Sequence, residues 1–340
     1  MFRLRFKNMI IVLISLLSIS VLIIFFVIRR DRAYGNRGIN AKAEPILDPE
    51  ENMDIEPGYQ MKRIGEIEKD GNGNIYILDT GRYNILVYSS NMEFLREIGR
   101  VGQGPGEFIN PVDFCLDNQD NIYVLDYGKE AVTIFDKNGK YKDQVLPHRF
   151  FLRGSIAVDS EGLIYIACAK GLDSLITVFN QSGKKVNAFG SRIKYHLYNV
   201  EMNLNEVSID FDQNDNLWVV FHNKPLIRRY TKDGKLILEK KIEDSEMISI
   251  EKDNKIPKVK GDRYSYSNFF TDIYVENSNM VFVGGNCYVY ELDSLANVVK
   301  KYKYYPVRPG AVGDNFIYSK ENKSIILVTG HMAIVFKVPI

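Results

Sequence analysis

The sequence predicts an all-β fold, a six-bladed β-propeller preceded by one N-terminal transmembrane helix. Three observations carry this: a strand phrase written six times, the turn chemistry ahead of it, and an uncharged apolar run near the start. The phrase reads N-I-Y-I-L-D at 74–79, N-I-Y-V-L-D at 121–126, L-I-Y-I-A at 163–167 and N-L-W-V-V at 216–220. Degraded copies follow at 280–284 (M-V-F-V-G) and 324–328 (S-I-I-L-V). Their central residues are Tyr76, Tyr123, Tyr165, Trp218, Phe282 and Ile326, spaced by 47, 42, 53, 64 and 44. A period in the forties with strand patterning marks an array of blades.

Each repeat reads as four strands. An inner strand ends in a tight turn such as D-G-N-G-N at 70–74 or D-N-Q-D-N at 117–121. Asp, Asn and Gly suit such turns because they tolerate left-handed backbone and bond their own main chain. The phrase is the second strand. A third strand runs into a second turn, as in A-V-T-I-F-D-K-N-G-K at 131–140, and a fourth closes the blade. The sixth copy stops after its third strand, M-A-I-V-F-K-V-P-I at 332–340. Its missing outer strand is expected from the segment just before blade 1, around residues 43–58, which would hide an open sheet edge.

The apolar run covers residues 9–28, broken only by three serines. Twenty helical residues span the ~30 Å hydrocarbon core, and Arg29, Arg30 and Arg32 directly after it disfavour signal cleavage. The expected domains are therefore a cytoplasmic stub and signal anchor (1–30), a linker whose end supplies the last blade's outer strand (31–57), and the propeller (58–340). Residues 1–43 carry eight Lys or Arg against one acid, +7, which leaves the rest at −6. An acidic body argues against nucleic acid, which is bound by neutralising phosphates. Cys115, Cys168 and Cys287 each sit in or beside a strand and give no metal spacing or disulfide framework.

G-R-V-G-Q-G-P-G-E-F-I-N-P-V at 99–112, followed by D-x-x-x-N-I-Y-V-L-D and I-F-D-K-N-G-K, resembles the NHL repeat. The chain as a whole resembles the six-bladed NHL-like propellers of the Bacteroides-type cell envelope. That resemblance implies a propeller over residues ~60–340 and says little about function, since blades serve binding modules and enzymes alike.

Strand order sorts the loops onto two faces. The short turns lie on one; the second-to-third loops and blade-to-blade connections lie on the other, including 99–111, 190–206 and 241–268. Functional residues concentrate in long loops on rigid scaffolds. The inner strands begin at the channel mouth near Arg63, Asn110, Arg153, Glu206, Asn268 and Arg308, the candidate ligand-binding set. The arginines suit a carboxylate or phosphate; inner-strand ends more often need them as a structural plug, paired with Glu206, Asp113 and one another. Phe150, Phe151, Tyr195, Tyr198, Tyr264 and Tyr266 offer an aromatic rim. His148, His196, His222 and His331 fall on this face without H-x-H or H-x-x-x-H spacing. Gly102–Gly106 opens a strand, not a helix, which removes a phosphate-loop reading. Asp210, Asp212, Asn214 and Asp215 lack the distal Glu of a calcium loop.

No Ser-His-Asp arrangement or interpretable carboxylate pair is legible. The expectation is a non-catalytic binding or scaffold protein without cofactor. It would be anchored in the cytoplasmic membrane through residues 9–28, with the propeller on the periplasmic or extracellular side and a protein, peptide or glycan ligand on the loop-rich face. The alternative is a lyase or lactonase-like enzyme holding zinc or calcium at the channel mouth, with the four histidines, Glu206 and Asn110 as ligands.

Overall fold

A computed structural model describes residues 49–53, 62–145, 154–168, 173–254, 258–260, 263–265, 268–285, 288–304, 315–320, 323–329 and 332–337. The strands are β1 (Pro49–Met53), then β2–β5 of blade 1 (Ile64–Lys69, Ile75–Asp79, Asn84–Tyr88, Phe94–Ile98) and β6–β9 of blade 2 (Pro111–Leu116, Ile122–Asp126, Ala131–Phe135, Tyr141–Val145). Blade 3 holds β10–β13 (Gly154–Val158, Ile164–Cys168, Ile176–Phe179, Lys185–Phe189). Helix α1 (Tyr198–Leu204) leads into β14–β17 of blade 4 (Val207–Phe211, Asn216–Phe221, Leu226–Thr231, Leu236–Lys241). Helix α2 (Ser245–Asn254) and a hairpin, β18 (Lys258–Lys260) with β19 (Arg263–Ser265), precede blade 5. That blade is β20–β23 (Asp272–Asn277, Met280–Gly285, Tyr288–Leu292, Val298–Lys303), and blade 6 is β24–β26 (Asn315–Ser319, Ser324–Thr329, Met332–Lys337).

Among the described residues these strands form six four-stranded antiparallel sheets. The sixth is completed by β1, which lies antiparallel on β26 with Pro49 opposite Phe336 and Met53 opposite Ala333. Five sheets are built from consecutive hairpins; the sixth joins the two ends of the propeller, so neither edge of its third strand is left open.

The core is distributed between blades. Ile75 and Ile77 pack with Ile317, Ile326 and Val328 of blade 6, whereas Tyr76 and Leu78 pack with Phe114, Ile122 and Val124 of blade 2. Equivalent clusters join blades 2 and 3, 3 and 4, 4 and 5, and 5 and 6. Each second strand is thus apolar on both faces, because successive side chains point to opposite neighbours. Strand β3 is buried at all five positions.

The long insertion before blade 5 takes part in this packing. Met247 and Ile250 of α2 enter the cluster between blades 4 and 5 beside Trp218 and Phe270. No helix among the described residues is long and apolar enough to cross a membrane, and residues 9–28 lie outside them.

Candidate functional site

Pairing registers align the inner strands. Glu68, Cys115, Ala157, Asp210, Tyr274 and Ile317 stand opposite the central residues of the six phrases. Two positions earlier the column reads Glu66, Asp113, Ser155, Ser208, Asp272 and Asn315, polar in every blade. A cavity on the axis is lined by Glu66, Glu68, Asp113, Ser155, Asp210 and Asp272 among others.

These side chains solve a backbone problem. The channel-facing edge of an inner strand has N–H groups that no fifth strand can accept, and a buried N–H must be satisfied. Asp113 accepts the N–H of Phe114 at 2.9 Å and that of Ile156 in blade 3 at 2.8 Å. Ser155 Oγ accepts from Ile209 in blade 4 at 3.2 Å. Asp210 accepts from Phe211 and from Val275 in blade 5, both at 2.7 Å. Asp272 accepts from Ile273 at 2.7 Å and from Phe316 in blade 6 at 3.3 Å. Asn315 Nδ2 then donates to the Gly65 carbonyl at 2.6 Å and to Glu66 at 2.8 Å. The Glu66 and Asp113 carboxyls line the same cavity, each close enough to raise the other's pKa only while both are charged. A belt of side chains therefore runs from blade to blade around the axis.

Burial pushes Asp113 and Asp210 up to about 7 and Asp272 up to about 8, although two backbone N–H donors pull each down. Burial and the neighbouring acids raise Glu66 and Glu68 well above the carboxylate range. None of these groups stands among the candidate ligand residues read from the sequence. The signal is nevertheless present there: ten residues before Tyr76, Tyr123, Tyr165, Trp218 and Phe282 stand Glu, Asp, Ser, Ser and Asp.

A second set of acids builds the turns. Asp70 accepts the N–H groups of Asn72 and Asn74 and the Tyr76 hydroxyl; Asp117 does the same for Gln119, Asn121 and Tyr123. Asp159 holds Tyr165 at 2.9 Å and Asp212 holds Trp218 Nε1 at 3.3 Å. The last acid of the phrase ties down the connection instead, since Asp79 accepts from the N–H groups of Lys62, Arg63, Gly81 and Arg82. Asp126 serves Ile109, Asn110 and Lys129 alike. The Asp210–Asp215 stretch thus divides between the belt, at Asp210, and a blade turn, at Asp212. Among the described residues no three His, Cys, Asp or Glu side chains converge as a metal site.

The sequence-derived mouth residues lie at the starts of the inner strands. Arg63 is exposed, and its carbonyl accepts from Thr80. Asn110 is half-buried, its carbonyl accepting from Tyr127 at 3.0 Å. Glu206 and His222 meet through their backbones at 3.0 Å, and Phe269, next to Asn268, donates to the His222 carbonyl at 2.7 Å. His222 Nε2 lies 2.9 Å from Ser208 Oγ, whereas His196 is exposed, its ring tilted 30° against Tyr195 with centroids 4.4 Å apart. Asp113 bonds backbone in place of the plug arginines. Arg153, Arg308, His148 and His331 lie outside the described residues, as do Phe150, Phe151 and Tyr266.

The glycine-rich connection closes on itself. Glu107 takes Arg100 at 2.9 Å and the Gly104 N–H at 2.8 Å, and Gly102 at φ 155° lies so close to Glu107 that no Cβ would fit. Apolar side chains are exposed on this face as well: Val101, Ile109 and Ile248. In one short run Tyr195 is 45 %, Leu197 37 % and Tyr198 59 % exposed.

Comparison with solved structures shows shared fold. A putative exported protein from Bacteroides fragilis NCTC 9343 matches with TM-score 0.58 at 13% identity, over 88% of this chain and 97% of that one. Virginiamycin B lyase from Staphylococcus aureus matches with TM-score 0.51 at 13% identity, over 81% and 80%. The WD40 repeats of RRP9 match with TM-score 0.53 at 8% identity, over 83% and 96%. Comparison with curated proteins finds no match. The model of one family, described as 6-bladed beta-propeller, matches residues 58–319. With inner strands stapled into a ring and six sheets around it, the chain belongs to that 6-bladed beta-propeller family.

Proposed function

We propose that this chain is a membrane-anchored, non-catalytic binding or scaffold protein of the cell envelope, with its connection face turned to a protein, peptide or glycan ligand. The observation that carries the reading is the exposed run Tyr195-His196-Leu197-Tyr198 on that face. Rings that join an apolar body to a polar tip are the side chains binding surfaces favour for peptide and sugar. Val101, Ile109 and Ile248 extend the apolar character of the same face. The channel supports the non-catalytic part: both oxygens of Asp113, Asp210 and Asp272 are engaged by backbone N–H groups of two blades. Turnover by such a carboxylate would open a blade interface at each cycle. The anchor is residues 9–28.

The test compares the wild-type protein with a Tyr195→Ser/Tyr198→Ser variant on peptide and glycan arrays. Ligands retained by the wild type should weaken at least tenfold in the variant at unchanged thermal midpoint. Equal binding by both proteins would sink the reading. Stoichiometric zinc or calcium in the purified protein, lost on His196→Ala or Glu206→Ala, would overturn the non-catalytic part.

A further inference from the structure

The exposed run Tyr195-His196-Leu197-Tyr198 is held by two side chains that carry no ring. Asn205, at the C-terminal end of α1, is fully buried and pairs with both main-chain groups of Ile193. Its Oδ1 accepts the Ile193 N–H at 2.8 Å and its Nδ2 donates to the Ile193 carbonyl at 2.9 Å, as a neighbouring strand would. The second Nδ2 proton reaches the Glu201 carbonyl at 2.7 Å and ties the clamp to α1. Glu201 then takes the next two residues. Its Oε2 accepts the Tyr195 N–H at 3.1 Å and its Oε1 meets Lys194 Nζ at 3.3 Å. The bond from Tyr195, with Lys194 beside it, holds the Glu201 carboxyl below its ordinary range and so keeps it an acceptor.

Helix α1 is itself fastened to the propeller. Val200 and Leu204 are buried, Asn223 Nδ2 donates to the Asn203 carbonyl at 2.8 Å, and the His222 N–H donates to the Glu206 carbonyl at 3.0 Å. Upstream, the Gly190 carbonyl accepts from Leu175 at 2.9 Å and the Ser191 carbonyl from Arg228 at 2.6 Å. The Leu197 carbonyl accepts from Glu201 at 2.9 Å. Main-chain groups are therefore engaged at 190, 191, 193, 195 and 197, which leaves ring faces rather than a strand edge to meet a ligand.

A loop that must order on binding loses part of its affinity to that ordering, and a preformed one does not. A binding surface is preformed when the side chains behind it are locked by packing and hydrogen bonds of their own. We infer that Glu201 and Asn205 are positioning residues that preform the aromatic run for its ligand. Affinity at the connection face then depends on two side chains that offer no ring to that ligand. The inference rests on the binding reading above and adds what fixes the geometry of its surface.

The test uses the full chain in detergent, first with nothing bound. Hydrogen exchange at the Tyr195 amide should accelerate roughly tenfold or more in Glu201→Ala, because its acceptor is gone. In Glu201→Gln, which keeps an acceptor oxygen without the charge, the rate should stay near that of the wild type. Asn205→Ala should release Ile193 as well; should that buried substitution fail to fold, the two Glu201 variants decide alone. The Phe108 amide, bonded to the Arg100 carbonyl at 2.7 Å in the connection between blades 1 and 2, is the control and keeps its rate. On peptide and glycan arrays, signals that depend on Tyr195 and Tyr198 should fall at least fivefold in Glu201→Ala and persist in Glu201→Gln, both at unchanged thermal midpoint. Unchanged Tyr195 exchange in Glu201→Ala, equal loss in both Glu201 variants, or full array signal from a released run would overturn the inference. Arrays left blank by the wild type would sink the binding reading instead, and the exchange rates would still decide whether the clamp preforms the run.

Discussion

The carboxylate of Asp113 in blade 2 accepts the N–H of Ile156 in blade 3 at 2.8 Å while holding the N–H of Phe114 in its own strand at 2.9 Å. One side chain thus satisfies two edge donors that belong to different sheets. Asp210 and Asp272 repeat the arrangement, and Ser155 and Asn315 carry it across the blades between.

The belt predicts how stability depends on pH. Asp113 and Asp210 near 7 and Asp272 near 8 stand well above the ~3.9 of an unfolded Asp. Between roughly pH 4 and 8 the folded state binds more protons, so stability is greatest at the acid end and falls as pH rises. The slope is ~1.4 kcal/mol per pH unit for each extra proton held. Thermal midpoints should decline from pH 5 to 9. Asp272→Asn should start lower at pH 5 and decline less steeply; a flat wild-type profile would contradict the belt's protonation.

Trp218 separates packing from polar satisfaction. Its ring is fully buried between blades 4 and 5, and its Nε1 donates to Asp212 at 3.3 Å. Trp218→Phe should cost ~1 kcal/mol, the scale of one hydrogen bond. Trp218→Ala should cost ~3–5 kcal/mol by leaving a cavity. Urea midpoints distinguish the two, and equal losses would show that the indole N–H carries the effect.

Asp126 ends the second phrase and serves three backbone N–H groups. Asp126→Ala removes the partner of three part-buried donors, at ~1 kcal/mol for each bond lost. Hydrogen exchange at Ile109, Asn110 and Lys129 should accelerate more than tenfold, ahead of the blade strands. Unchanged exchange there would mean that the connection is held by other contacts.

The end-to-end joint of blade 6 predicts a solubility effect. Removing residues 44–53 from the body 44–340 deletes β1 and bares the outer edge of β26. The truncated protein should melt at lower temperature and scatter light at micromolar concentration, because an open edge recruits other strands. Equal melting and a monomeric profile would show that blade 6 stands without its fourth strand.

Much of the architecture is readable because it is local. The Asp70 turn, its N–H partners and the Tyr76 hydroxyl lie within seven consecutive residues, and their repetition at Asp117, Asp159 and Asp212 spells the blade. The degraded copies lose the polar tip: Phe282 and Ile326 have no group to donate. Alternation is a weaker guide, because β3 and its equivalents are buried on both faces and read as continuous apolar runs. The belt is hidden from a linear reading because its partners lie 43, 54, 65 and 44 residues apart, in neighbouring blades. The exposure of Tyr195 and Tyr198 depends on which side of the segment packs through Val200 and Leu204.

By itself the sequence determined the blade, its repeat and the apolar run at 9–28, since turn chemistry and strand apolarity act over a few residues. Only the tertiary structure decided that the polar column of the inner strands is a ring of staples, and at which face β1 joins the propeller. The reason is closure. A polar residue on an inner strand has no fixed role until the neighbouring blade brings an unsatisfied N–H within reach, and that neighbour is set by the ring.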